Sequence, residues 1–241
     1  MPEARRAFFR SLPLLDGVSD ASVDRMARKS ESVRRRRRAA LWVEQGPARE
    51  VWWIRGGVVR VLCSPDEGHE VTLGFHGRGA LLGEGAGLSD APRSTRAEAH
   101  EDCTLYATPA AEFERLLERE PVVGRRVAAL LLERRRRLEA RVGLLASRSA
   151  RRRLASVLVE LAGEFGVRDS RGIIVNLRLT HREVASLLGT TRETASLALI
   201  ELRRAGLVLP DGKRLVLLDP PALDALARGA SAAVEARAVS S

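Results

Sequence analysis

The sequence predicts an α+β protein. A β-rich N-terminal half forms a small barrel or roll, one long helix follows, and a winged helix-turn-helix closes the chain. Three observations predict this. β-Branched and aromatic stretches up to about residue 118 are punctuated by Gly or Pro every ten residues or so. A stripe of positions at steps of four and three runs from Val123 to Leu145. Two Thr-x-x-Glu signals, Thr180–Glu183 and Thr190–Glu193, precede a hairpin signal at Asp211-Gly212. The expected organisation is a barrel over 1–119, a helix over 120–147, a helix-turn-helix domain over 148–228 and a flexible tail over 229–241.

Composition narrows the function. The chain has 241 residues, 45% of them hydrophobic, enough for a sizeable core. A net charge of +10 favours a polyanionic partner, nucleic acid rather than a membrane surface. Only Lys29 and Lys213 are lysine among 41 basic residues, so arginine is the default cation of this chain. Cys63 and Cys103 sit in apolar surroundings, and His69, His76, His100 and His181 lack zinc-type spacing. No apolar run reaches the ~20 residues that span a bilayer, and no signal peptide is legible, so a cytoplasmic location is expected. No nucleophile–base pair or Walker-type lysine accompanies the glycine-rich loop, which argues against an enzyme.

The elements follow in order. "FFRSLPLLDGVSDASVDRMA" is a helical lead, and "SVRRRRRAAL" carries the Arg34–Arg38 run, either a solvated strand edge or a nucleic-acid arm. "VWWIRGGVVRVLC" reads as two strands joined by a tight turn. "HEVTLGFHGRGALLGE" and "AEAHEDCTLYATP" add further strands and turns. Between them lies "LLGEGAGLSDAPRST", where Gly83, Gly85 and Gly87 free backbone N–H groups and Arg93 offers a fork of donors, as in a phosphate cradle. On the long helix, Val123, Val127, Leu131, Arg134, Leu138, Val142 and Leu145 form a coiled-coil seam. Packing on its own barrel and pairing with a second copy are the alternatives, and the regular seam favours the second copy.

"RRRLASVLVELAGEFG" is an amphipathic helix with Leu154, Leu158 and Leu161 on one face, and "GIIVNLRL" reads as a strand. Thr180 with Glu183 and Thr190 with Glu193 are capping boxes for two helices separated by Gly189. So short a turn makes the helices cross steeply. Ala195, Ala198, Leu199 and Leu202 then face inward, while Arg192, Glu193, Ser196 and Leu197 face out. Arg192 suits a guanine and Glu193 a cytosine amine; a phosphate contact for Arg192 and the cap alone for Glu193 are the alternatives. Lys213 and Arg214 beside the hairpin tip suit phosphates. The expected DNA-binding set is Thr180, Thr190, Thr191, Arg192, Glu193, Ser196, Leu197, Lys213 and Arg214, in a domain with 14 basic and nine acidic residues.

Four stretches in order resemble the Crp/Fnr transcription regulators: the lead, "WWIRGGVVRV", "GEGAGLSDAPRS" and "LTHREVASLLGTTRETASLALIEL". The resemblance implies a cyclic-nucleotide-binding-type barrel as effector domain, a dimerisation helix and a homodimer. It also implies double-stranded DNA bent at a two-fold site, and contact with RNA polymerase. It implies Gly83, Glu84, Arg93 and Ser94 as effector-binding residues, Glu84 for a ribose hydroxyl and Arg93 with Ser94 for a phosphate. The family's adenine contacts, a Thr-Ser pair, fall on Leu138 and Glu139, and a third base reader, an arginine, falls on Leu197. Leucine offers only apolar contact, as to a thymine methyl. Without the hydroxyl pair, operator binding independent of cyclic AMP is expected; gating by a cyclic nucleotide in the Gly83–Ser94 loop is the alternative. No Cys or His lies in that loop to hold haem, and two cysteines do not hold an iron–sulfur cluster.

Overall fold

A computed structural model describes residues 2–66, 69–89, 91–145 and 149–229. The chain divides into two compact units, Met1–Cys63 with Leu73–Arg137, and Ser64–Thr72 with Leu138–Ser241.

In the first unit, helices α1 (Pro2–Arg10) and α2 (Asp20–Lys29) precede the strands, and Ser19 caps α2 by accepting from the Ser22 N–H. The strands are β1 (Glu31–Arg35), β2 (Ala40–Trp42), β3 (Glu50–Gly56), β4 (Val59–Asp66), β5 (His69–His76), β6 (Leu81–Leu82), β7 (Arg96–Ala99) and β8 (Cys103–Pro109). They form two antiparallel sheets, β1-β8-β3-β6 and β2-β7-β4-β5. Helices α3 (Ala110–Arg119) and α4 (Pro121–Leu145) follow.

β3 explains the core. Val51, Trp52, Trp53 and Ile54 are all buried, so the strand is covered on both faces. Val51 and Trp53 face a cluster with Phe9, Leu15, Phe113 and Val123; Trp52 and Ile54 face another with Val59, Leu82 and Leu105. Trp53 meets Phe9 and Phe113 edge-on and donates to the Thr108 hydroxyl at 3.0 Å.

The tight turn expected at Gly56-Gly57 joins β3 to β4 and carries the chain from one sheet to the other. Gly57 has φ +87°, and a Cβ there would stand 2.5 Å from the Asp102 carbonyl oxygen. One sequence expectation changes: the seam on α4 is divided. At about 100° per residue, Val123, Val127 and Arg134 fall within about 40° of one another, while Leu131, Leu138 and Val142 lie farther round. Val123 and Val127 are buried in the core of the first unit. Leu131, Leu138 and Val142 are 37%, 40% and 66% exposed. Val127 therefore packs on its own barrel. The Leu145 side chain lies outside the described residues, as do 230–241 of the expected tail.

β1 is the end strand of its sheet. The arginine run is partly anchored: Arg35 stacks on Trp52, the Arg37 N–H donates to Asp102, and the Arg38 N–H donates to the Ala99 carbonyl.

The second unit contains α5 (Ala150–Phe165), β9 (Gly166–Asp169), β10 (Gly172–Val175), α6 (His181–Leu188), α7 (Arg192–Arg204), β11 (Val208–Asp211), β12 (Arg214–Leu217) and α8 (Pro220–Ala227). Its sheet has the order β11-β12-β10-β9, of which β9 has no counterpart in the sequence reading. Leu154, Leu158, Leu188, Ala195, Leu202, Val216 and Leu223 are buried in this unit. Within it, the Ser186 hydroxyl of α6 donates to the Glu70 carbonyl at 2.7 Å and meets the Thr72 hydroxyl at 2.8 Å.

Candidate nucleic-acid interface and effector loop

The first capping box is present as the sequence predicts. The Thr180 hydroxyl accepts from the Glu183 N–H, and the Glu183 carboxylate accepts from the Thr180 N–H at 2.7 Å. Gly189 ends α6 in the left-handed region, φ +58°.

The second box is not where it was expected. Thr191, and not Thr190, caps α7 by accepting from the Thr194 N–H at 3.2 Å. The Thr190 N–H donates to the Ala185 carbonyl and so completes the end of α6. The turn needs both Gly189 and Thr190, which moves the start of α7 by one residue. Glu193 is thereby released from reciprocal capping and stands exposed on the first turn. Its carboxyl is held below the usual range by its own backbone N–H, then by the Thr191 hydroxyl and the Arg192 charge.

Arg192 beside it is exposed, and its side chain has no hydrogen-bond or ion-pair partner among the described residues. Leu197 is 61% exposed. Ser196 is more constrained than the sequence suggests: its hydroxyl donates to the Arg192 carbonyl at 2.8 Å and meets His181 Nδ1 at 2.7 Å.

The hairpin β11–β12 pairs Asp211 with Arg214, so its loop is Gly212-Lys213 and not Asp211-Gly212. Gly212 has φ +63° at the first central position, as a type II′ turn requires. That puts exposed Lys213 at the tip. Arg214 instead turns to Asn176 at 3.2 Å and Asp211 at 3.6 Å. Between α7, the start of α6 and this hairpin lies a cleft of about 540 Å³.

The glycine-rich loop is held by its own side chains. Gly83 sits at φ +71° before a short 3-10 turn, Glu84–Gly87. A Cβ on Gly83 would stand 2.5 Å from Arg93 Nη1. Arg93 is 8% exposed; its Nη1 donates to the Gly83 carbonyl at 3.0 Å and its Nη2 to the Glu50 carbonyl at 2.5 Å. The guanidinium also lies 4.7 Å from the Trp42 ring centroid. Burial lowers its pKa, with Glu84 and Glu50 opposing. Glu84 is nearly as buried and accepts from Arg134 Nη1 at 2.5 Å, while Arg134 Nη2 donates to the Leu81 carbonyl at 2.6 Å.

Arg134 therefore belongs to this loop, which corrects its place in the seam. Its sequence signal was its own oddity, a charge at an otherwise apolar position. Trp42, whose indole faces Arg93, also escaped the sequence reading. Ser94 is exposed. Leu138 and Glu139 belong to the second unit, whereas Gly83, Glu84, Arg93 and Ser94 belong to the first. In this arrangement both Nη atoms of Arg93 and the Glu84 carboxylate are engaged by protein partners, while the buried Arg93 Nε has none.

Comparison with known proteins identifies both domains. A profile for the cyclic nucleotide-binding domain matches residues 33–120, and one for the Crp-like helix-turn-helix domain matches 152–226. The chain is 35% identical over 158 residues to the cyclic AMP receptor protein of Thermus thermophilus, covering 66% of this chain and 70% of that one. It belongs to the Crp/Fnr family of transcription regulators. The transcriptional activator Anr of Pseudomonas aeruginosa is 27% identical over 219 residues, covering 90% and 88% of the two chains. A structure of a CooA variant from Carboxydothermus hydrogenoformans aligns with TM-score 0.71 and 25% identity, covering 88% and 92%. FixK2 from Bradyrhizobium japonicum gives TM-score 0.71 at 24% identity, covering 82% and 96%, a likeness of fold. As a Crp/Fnr regulator the chain is a DNA-binding transcription factor. Among the described residues no helix is long and apolar enough to cross a membrane, and no group of three or more His, Cys, Asp or Glu is placed to hold a metal ion.

Proposed function

We propose that the protein acts as a homodimer on a two-fold promoter site, reads bases through Arg192 and Glu193, and binds its operator without cyclic AMP. The observation that carries the last point is the Glu84–Arg134 pair. A ligand hydroxyl seeking Glu84 must displace Arg134. Breaking a buried ion pair costs about 3–5 kcal/mol, which moves a micromolar ligand toward millimolar. Arg93 must also leave two carbonyls. The T. thermophilus relative is named for cyclic AMP; here the cassette residues remain but are engaged internally.

Dimerisation is supported by the exposed Leu131, Leu138 and Val142 on one side of α4, an apolar stripe at steps of seven and four. Contact with RNA polymerase is part of the same proposal, and the family membership supports it.

The test is selection of bound DNA from a random pool, with and without cyclic AMP or cyclic GMP. A palindromic site with half-sites about one helical turn apart, recovered equally in all three conditions, is expected. Recovery only with a nucleotide overturns the ligand-independent reading, and calorimetry with Arg93→Ala then tests the loop as its site.

A further inference from the structure

The last turn of α7 carries two exposed arginines, Arg203 and Arg204. Cations there complement the helix dipole, a sufficient structural reason for both. They differ in what they border. Arg203 lines the cleft between α7 and the hairpin, and Arg204 is not among the lining residues.

The cleft walls hold Arg182, Arg192, Arg203, Lys213 and Arg214, and no carboxylate. Four of these cations, all but Arg214, have no hydrogen-bond or ion-pair partner among the described residues. Many other arginines of the chain are paired, as Arg25 is with Glu112 and Arg141 with Glu160. The lining also includes the apolar Ile200, 44% exposed, Pro210 and Leu215.

Geometry separates the two ends of this cleft. Arg192 and Arg203 stand eleven residues apart on one helix, about 16 Å along its axis. The major groove is about 8.5 Å deep. A helix that enters it N-terminus first and sets Arg192 on a base edge keeps Arg203 out at the level of the phosphates.

We infer that the cleft is a track for one sugar–phosphate strand of double-stranded DNA, with Arg203 gripping a phosphate. Arg182 and Lys213 flank the track, and Ile200 and Pro210 pack against deoxyribose. The inference rests on the DNA-reading role of α7 and extends it to residues outside the base-reading end.

The experiment is anisotropy titration of full-length protein with its selected operator and with an unrelated duplex, over a range of salt. The variants are Arg203→Gln, Arg204→Gln and Arg192→Ala. Arg203→Gln is expected to lower the salt slope by about 1 per subunit and to weaken both duplexes about fivefold per subunit near 0.15 M salt. Base preference stays unchanged. Arg204→Gln stays close to the parent protein. Equal losses from the two glutamine variants reduce Arg203 to bulk charge and overturn the track, as does an unchanged slope. Loss of base preference in Arg192→Ala beside a silent Arg203→Gln keeps the DNA reading and sinks only this inference. A silent Arg192→Ala is the separate outcome that overturns the role of α7.

Discussion

Arg134 of the long helix and Glu84 of the glycine-rich loop form an ion pair, Nη1 to Oε1 at 2.5 Å, with side chains 22% and 11% exposed. The pair joins two segments that the sequence reading assigned to different tasks. Removing one partner leaves the other charge largely buried, so Arg134→Leu is expected to cost about 2–4 kcal/mol. Glu84→Gln with Arg134→Leu together is expected to cost less than the sum of the single changes. Denaturant unfolding of the four proteins measures the coupling, and additive losses would remove the pair from the account of the loop.

Dimerisation is assigned to the exposed side of α4. Leu138→Glu is expected to yield a monomer in light scattering, because a carboxylate at a closed seam is desolvated without a partner. Val127→Ala is expected to lower stability by about 1–3 kcal/mol and leave the mass unchanged, since Val127 packs on its own barrel. A dimeric Leu138→Glu protein would move the interface elsewhere.

The contrast between these two positions also marks what the sequence could and could not reveal. A stripe at steps of four and three is visible in one dimension, but it spans about 100° of helix surface. Which part faces its own core depends on neighbours far away in sequence, Phe9 and Trp53 among them. Arg134 was misread for the same reason, since its partner lies 50 residues earlier. The turn at Gly57 was legible, but the sheet that each of its strands joins is set by β7 and β8, far along the chain. Signals that act within four residues were legible: the Thr180–Glu183 box, the Gly189 cap and the hairpin after Pro210.

The proposed division of labour on DNA separates Arg192 from Lys213. Arg192→Ala is expected to cost about 1–3 kcal/mol per half-site and to relax preference at one base pair. Lys213→Ala is expected to weaken all duplexes alike and lower the salt slope by about 1 per subunit. Arg214→Ala is expected to do less, because Arg214 is engaged with Asn176 and Asp211. If Arg192→Ala weakened every sequence equally, its contact would be to phosphate.

Cys103 supplies a pH test. Burial, aided by Glu101, raises its thiol pKa from 9.0 to about 11. The folded state then holds its proton between those values while the unfolded chain loses it. The resulting stability is full below pH 9 and is lost as pH rises from 9 toward 11. Denaturant midpoints are expected to fall over that interval, and less so in Cys103→Ala. Alkylation at pH 8 is expected to be slow at Cys103. Fast labelling there would show that the thiol is not enclosed between the Val58 and Glu101 carbonyls.

The start of α7 provides the sharpest comparison, because two adjacent threonines have different tasks. Thr191 caps the helix through its hydroxyl; the Thr190 hydroxyl has no part in that cap. Thr191→Ala is therefore expected to cost about 1 kcal/mol of stability, within the 0.5–2 range for lost caps, and Thr190→Ala much less. DNA affinity separates them again. Loss of the cap frays the first turn, which holds Arg192 and Glu193, so Thr191→Ala is expected to reduce sequence discrimination as well as stability. Thermal melts with anisotropy on matched and mismatched operators measure both effects. If Thr190→Ala proved the costlier change, α7 would begin one residue earlier, Glu193 would return to its capping role, and the exposed carboxylate assigned to base reading would be lost.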